Sequence, residues 1–326
     1  MGHYHIFEAM KKKQLILFVL PLFLLGCKHS AKQEAKQLLE TSPSISFTFD
    51  DGITNDYPGF TFEEWNQMIL TSLENEKLKA IFFVTGSNKL TKKGQFLLSS
   101  WNEKGHSIAN HSYTHPNFNS PTNSSIVFER ELLRTDSIIS SYSNYIKLFR
   151  FPYLKEGKND LKVDSIRTIL KKHDYANGYV SIDASDWFVN SRLLKRIKEV
   201  GIEQTEIEKF KAFYIDHILE RANYYENLSY TLNERHVDHT LLLHHNLTSA
   251  LFLGDLINRF KEEGWEVTDA ETAYQDEVFS IIPNPSYAGE SLIWSMAKQS
   301  GAYEETLRYP AEDSRYEEPK MIELGL

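Results

Sequence analysis

The chain has 326 residues, 41% hydrophobic and 13% aromatic, enough for one large domain or two small ones with a substantial core. Lys and Arg (36) fall short of Asp and Glu (45), and the net charge of −9 excludes nucleic acid as a partner while leaving neutral ligands such as sugars open. The single cysteine, Cys27, excludes an intrachain disulfide.

In chain order, Lys11-Lys12-Lys13 makes a positive start and Gln14 to Leu25 a short apolar run interrupted by Pro21. That run is too short to span a bilayer and reads as a secretory signal over residues 1–27, with Met10 as its candidate start. Leu24-Leu25-Gly26-Cys27 looks like a bacterial lipobox, so the expected protein is exported and anchored to the cell-envelope membrane through a lipid on Cys27. Residues 28–44 are polar and featureless, as a tether would be.

Strands and helices then alternate. Ile45–Phe49, Ala80–Thr85, Ser107–Ala109, Leu148–Phe151, Tyr179–Ile182, Thr240–Leu243 and Trp265–Val267 read as strands. Phe62–Lys77, Thr91–Lys104, Ile126–Tyr142, Val163–His173 and Leu251–Glu263 carry helical spacing. Residues 45–275 form the expected domain. Within it, 191–236 is charged, rich in helix formers and without a motif, and reads as a helical insertion. Residues 276–326, with prolines at 283, 285, 310 and 319 and one helical patch at Ser291–Lys298, read as an extension packed on the domain.

Five short motifs stand where apolar runs end: Thr48-Phe49-Asp50-Asp51-Gly52, His111-Ser112-Tyr113-Thr114-His115, Arg150-Phe151-Pro152-Tyr153, Asp183-Ala184-Ser185-Asp186-Trp187 and Leu242-Leu243-His244. In a parallel α/β protein those ends share one rim, where ligands bind. His111 and His115, four apart, would face the same way on one helical turn and suit two ligands of one metal. Ser112 stands where the zincin motif needs its glutamate, so a base must come from elsewhere. Asp50 and Asp51 point different ways at a strand end, so one can ligate while the other faces substrate. Two imidazoles and a carboxylate leave a position open for water, as in a metal-assisted hydrolase. Zn²⁺ suits that donor set, and Co²⁺, Ni²⁺ or Mn²⁺ could occupy it.

The order and content of these motifs, over roughly residues 45 to 270, resemble the polysaccharide deacetylase family (NodB-homology, carbohydrate esterase family 4). The resemblance implies a distorted (β/α) barrel of about seven parallel strands. It implies Asp51, His111 and His115 as metal ligands, Asp50 as the base and His244 as the acid that protonates the leaving amine. It also implies Arg150 beside Asp50, Asp186 beside His244, the Tyr153 amide on the oxyanion, and Tyr153 and Trp187 walling the groove. The substrate would be an N-acetylated glycan, with O-acetyl ester cleavage on acetylxylan-type glycans and non-catalytic glycan binding as alternatives. The doublet His244-His245 leaves two candidates for the acid; strand alternation sends their rings to opposite faces, and the pattern favours His244. Ile53 stands where the family usually has proline.

Overall fold

A computed structural model describes residues 42–308 and 314–326. The expected signal, Cys27 and nearly all of the tether lie outside the described residues. Among the described residues, no helix is long and apolar enough to cross a membrane.

The strands are β1 (Ser44–Asp51), β2 (Ile81–Val84), β3 (Ser107–Asn110), β4 (Tyr145–Phe149), β5 (Ala176–Asn177), β6 (Ile182–Asp183), β7 (Asp238–His244) and β8 (Glu266–Val267). They form one sheet in the order β5-β4-β3-β2-β1-β7-β6, with β8 beside the start of β1, and every pairing is parallel. Helices α1 (Phe62–Asn75), α2 (Lys92–Glu103), α3 (Ser125–Ile139), α4 (Asp160–Lys172) and α7 (Leu247–Glu262) follow β1, β2, β3, β4 and β7. This is the distorted (β/α) barrel. Side chains cap all five of these helices: the Thr61, Thr91 and Ser124 hydroxyls accept from the N–H of the third residue on, and Thr61 with Glu64 forms a capping box. The amide oxygens of Asn159 and Asn246 do the same for α4 and α7.

Strand β1 shows how alternation serves a barrel. Ile45, Phe47 and Phe49 face the helices, where Phe47 meets Phe260 and Phe49 meets Trp101 edge to face. Ser46, Thr48 and Asp50 face inward and are equally buried. A polar residue inside must find a partner. Ser46 Oγ and Thr48 Oγ1 donate to the β7 carbonyls of His239 and Leu241.

The expected strand Tyr179–Ile182 is instead a crossing between the two edges of the sheet. The Gly178 N–H donates to the Phe149 carbonyl on one side and the Ser181 N–H to Thr240 on the other. Residues 178–181 therefore bridge β5 and β6, and neither short strand has room to lengthen.

Helices α5 (Asp186–Val200) and α6 (Ile207–Asn233) precede β7. Phe210, Tyr214, Ile218, Ala222 and Tyr225 of α6 belong to the main core together with Leu253 and Leu256 of α7. After β8 come α8 (Ala270–Ala273), α9 (Leu292–Ser300) and α10 (Glu317–Leu324), which bury Leu292, Ile293 and Met321 in the same core.

Candidate active site

The parallel register brings the motifs to one rim. Asp50 lies opposite Phe83 and His244, Asp51 opposite Val84, and Val84 opposite Asn110, one residue before His111. A cavity of about 390 Å³ opens there, lined by Asp50, Asp51, His111, His115, Tyr153, Leu154, Trp187, Leu242 and His244. Arg150 and Asp186 stand behind its wall.

The His111–His115 pair does not lie on a helical turn. It sits in a loop after β3, with Ser112 at φ 66° and His115 at φ 58°. Spacing in sequence matters less here than loop geometry. The Ser112 N–H donates to Asn110 Oδ1, and Glu131 of α3 accepts from the Tyr113 and Thr114 N–H groups and from the Thr114 hydroxyl. The loop also pairs with the segment after β2, where Gly86 and Ser87 donate to the Ser112 and Tyr113 carbonyls. Only glycine fits at 86, because a Cβ would run into Thr135 Oγ1 and meet Tyr113 Cδ2 at 2.6 Å.

Donor atoms of Asp51, His111 and His115 lie within 4.8 Å of one another. Asp51 Oδ1 is 3.8 Å from His111 Nε2 and 3.5 Å from His115 Nε2. His111 Nδ1 lies 2.8 Å from the Arg150 carbonyl, which can only accept, so the proton sits on Nδ1 and the Nε2 lone pair faces Asp51. Burial holds both imidazoles down at about 4, against the pull of Asp51. Burial pushes the Asp51 carboxyl up, but His244, His115 and His111 together prevail and hold it below its usual value. At neutral pH the three groups are therefore two neutral imidazoles and a carboxylate, the protonation a divalent cation needs. The donor set fits such an ion.

Asp50 is buried, and Arg150 Nη1 donates to its Oδ1 at 2.6 Å. Its Oδ2 lies 3.7 Å from His111 Nε2, one of the three donors. Burial raises the Asp50 carboxyl against the opposing pull of Arg150, which makes it a stronger base than an exposed aspartate. Arg150 is itself pinned: Nε donates to the Gly178 carbonyl, Nη1 also to Thr48 Oγ1, and Nη2 to the Tyr274 hydroxyl, with Phe83 stacked 3.9 Å away.

On the opposite wall, His244 Nδ1 is 2.6 Å from Asp186 Oδ1, and the His244 N–H donates to Asp186 Oδ2. Asn246 Nδ2 donates to the same oxygen at 3.2 Å. Asp186 is fully buried at the first turn of α5, reached through Ser185 at φ 49°. His245 points the other way. Its ring packs 4.4 Å from Trp65 and 5.1 Å from Phe82, and Nε2 donates to Asn66 Oδ1. Burial holds it well below the usual histidine value, and it lies outside the pocket.

Tyr153 is 45% exposed, and its ring lies 4.6 Å from that of His115. Tyr153 and Leu154 both have positive φ, 58° and 57°. Trp187 closes the pocket from α5. Sequence reasoning passed over Lys89, Glu131 and Tyr274. Lys89 is buried and donates to the Gly52 carbonyl at 2.8 Å, under the Asp50-Asp51 turn; burial lowers its ammonium to about 8 against the pull of Asp51. The one available signal was an acidic residue, Glu131, on the apolar stripe of α3 with Phe128, Leu132 and Thr135.

Residues 40–178 match the family model described as polysaccharide deacetylase. Over that segment the chain is similar to polysaccharide deacetylases. The matched segment holds Asp50, Asp51, His111, His115, Arg150 and Tyr153; Asp186, Trp187 and His244 lie beyond it. The chain is 28% identical over 144 residues to the peptidoglycan-N-acetylglucosamine deacetylase of Bacillus cereus, covering 44% of this chain and 46% of that protein. It is 28% identical over 148 residues to the chitooligosaccharide deacetylase of Sinorhizobium fredii, covering 45% and 60%. For the peptidoglycan-N-acetylglucosamine deacetylase PgdA of Listeria monocytogenes the figures are 28% over 116 residues, 35% and 22%. The matches thus span between about a fifth and three fifths of these relatives.

The deacetylase fold is also that of a mutant of a CE4 family pseudoenzyme with restored enzymatic activity, at TM-score 0.51 and 19% identity over 72% of this chain and 68% of that one. The wild-type pseudoenzyme, from Bacillus anthracis, aligns at TM-score 0.50 and 18% identity over 72% and 66%. The likeness is one of fold.

Proposed function

We propose that this chain is a divalent-metal-dependent hydrolase that removes acetyl groups from N-acetylated glycans. Its substrate is the N-acetylglucosamine units of peptidoglycan or of an exported glycan. The observation that carries this reading is the convergence on one pocket of three metal-type donors, a carboxylate held by an arginine, and a histidine held by a carboxylate. Asp51, His111 and His115 would hold the ion, with Zn²⁺ the best fit to two imidazoles and a carboxylate and Co²⁺, Ni²⁺ or Mn²⁺ able to replace it. A bound cation would supply Lewis-acid polarisation of the acetamide carbonyl and of the attacking water.

The chain's own groups do the rest. Asp50, fixed by Arg150, takes one proton as the water oxygen bonds to the carbonyl carbon. The Tyr153 N–H donates to the oxygen that gains charge. His244, oriented by Asp186, gives a proton to the nitrogen as the C–N bond breaks, so the leaving group is a neutral amine. Acetate and a free amino sugar result, and Tyr153 and Trp187 flank the sugar ring. The Leu24-Leu25-Gly26-Cys27 pattern supports export and a lipid anchor on Cys27, which would hold the enzyme at the envelope where such glycans lie.

Acetate release by the metal-loaded chain from chitooligosaccharides, peptidoglycan and acetylxylan, beside Asp50→Asn and His244→Ala, tests the reading. Release from an N-acetyl glycan, lost in both variants, supports it. Release from acetylxylan alone moves the activity to an O-acetyl esterase. Inertness on every substrate with metal bound leaves a glycan-binding lipoprotein.

A further inference from the structure

The Tyr153–Leu154 turn is a backbone in need of support. Two consecutive non-glycine residues in the left-handed region cost roughly 1 kcal/mol or more each, and such a turn persists only where its surroundings fix it. Its local bonds, Leu154 N–H to the Phe151 carbonyl and Lys155 N–H to the Pro152 carbonyl, close the turn but do not anchor it to the barrel.

Leu154 packs against Val180 and Leu242, and the polar anchor comes from more than 130 residues away, in the segment between the domain and α9. Lys155 Nζ pairs with the Glu290 carboxylate and lies 3.3 Å from the Gly289 carbonyl. Both side chains of the pair are about four-fifths buried, at 21% and 18% exposed, so the contact is far less screened than a surface pair. Gly289, at φ +95°, lies flat against the turn: a Cβ there would meet the Glu156 nitrogen at 3.0 Å and the Leu154 carbonyl oxygen at 3.5 Å. The strap is itself fastened on both sides. The Leu292 N–H donates to the Val180 carbonyl at 2.8 Å, on the crossing between β5 and β6, and Ser286 Oγ donates to Asp160 Oδ1 at the start of α4.

We propose that residues 285–292, through Glu290 on Lys155 and through Gly289 packed against the turn, act as a positioning strap that sets the Tyr153 amide for the transition state. Glu290, Lys155 and Gly289 are positioning residues; none of them lines the pocket. This inference rests on the reading of Tyr153 as the oxyanion donor. Its signature is a loss confined to the transition state once rates are normalised to bound metal, because Asp50 and His244 are held by other elements and only His115, whose ring touches that of Tyr153, adjoins the turn.

The test uses the full chain loaded with Zn²⁺ and normalised to bound metal. It compares Glu290→Gln, Lys155→Met, Lys155→Arg, the double variant Lys155→Met/Glu290→Gln, and Gly289→Ala as a milder displacement should the charge variants fold poorly. Substrate is the N-acetyl glycan on which the unaltered chain is active. The probes are acetate, as a ground-state ligand, and a methylphosphonate analogue of the tetrahedral intermediate. Misplacing one oxyanion donor should lower kcat about 10-fold to 100-fold with KM within about twofold. Affinity for the phosphonate should fall in parallel, affinity for acetate should not, the double variant should match the worse single variant, and Lys155→Arg should recover most of the rate. Unchanged kcat in both Glu290→Gln and Gly289→Ala, or equal losses for acetate and phosphonate, overturns the strap. An unaltered chain that binds Zn²⁺ and releases no acetate overturns the deacetylase reading instead, so the two failures are distinct.

Discussion

The two walls of the pocket each present a histidine, and the difference between them lies in what each Nδ1 meets. His111 Nδ1 donates to a neutral carbonyl, that of Arg150, and burial keeps the ring unprotonated. His244 Nδ1 faces the buried carboxylate of Asp186, a partner that stabilises an imidazolium. The proposed mechanism asks the first wall for lone pairs and the second for a proton. His245, one residue further, meets an amide inside an aromatic cluster and does neither. Chemistry on this rim is assigned by the second partner of each ring.

That contrast can be broken at several points. The largest effect is expected at the lone-pair wall: Asp51→Asn or His111→Ala should abolish stoichiometric Zn²⁺ binding and, with it, acetate release, read by metal analysis and product assay together. Asp50→Asn and His244→Ala should each cut kcat by about 10²-fold to 10⁴-fold while Zn²⁺ stays bound, separating proton transfer from metal binding. A variant of either that also loses the metal would merge the walls. His245→Ala should do the reverse, costing about 2–4 kcal/mol of stability through a cavity among Trp65, Phe82 and Trp101 and the loss of one hydrogen bond to Asn66, visible as a fall in Tm, with kcat per bound metal little changed.

The smallest effect is a flat pH response. His111 and His115 are held at about 4, so protons compete for their lone pairs only as pH falls towards that value and not through 6.5. Zn²⁺ affinity, corrected for the chelator's own protonation, should therefore stay level from roughly pH 7.5 to 5.5 and drop below. A loss centred near 6.5 would mean exposed, ordinary imidazoles.

Much of this was legible in the sequence because strand ends carry their own punctuation. Apolar runs broken by Asp50-Asp51-Gly52, Arg150-Phe151-Pro152 and His244 mark the rim in the sequence alone. Side-chain alternation also separated His244 from His245, as the opposite directions of their rings bear out. Helical spacing, by contrast, misplaced the His111–His115 pair, because left-handed residues at 112 and 115 fold the loop and leave no periodic trace. The crossing looked like a strand because Tyr179, Val180 and Ile182 favour extended backbone, and all three are buried as strand residues would be. Lys89, Tyr274 and Glu290 act across 37, 124 and 135 residues, and nothing local marks such partners.

The most direct test counts both products of one reaction. Incubating the Zn²⁺-loaded chain with a chitooligosaccharide or peptidoglycan, acetate and newly exposed primary amine are measured in the same sample. Equimolar acetate and amine, absent in Asp50→Asn and His244→Ala, is the predicted result. Acetate without amine, or neither product from a chain with metal bound, would contradict the assignment of this rim to amide hydrolysis.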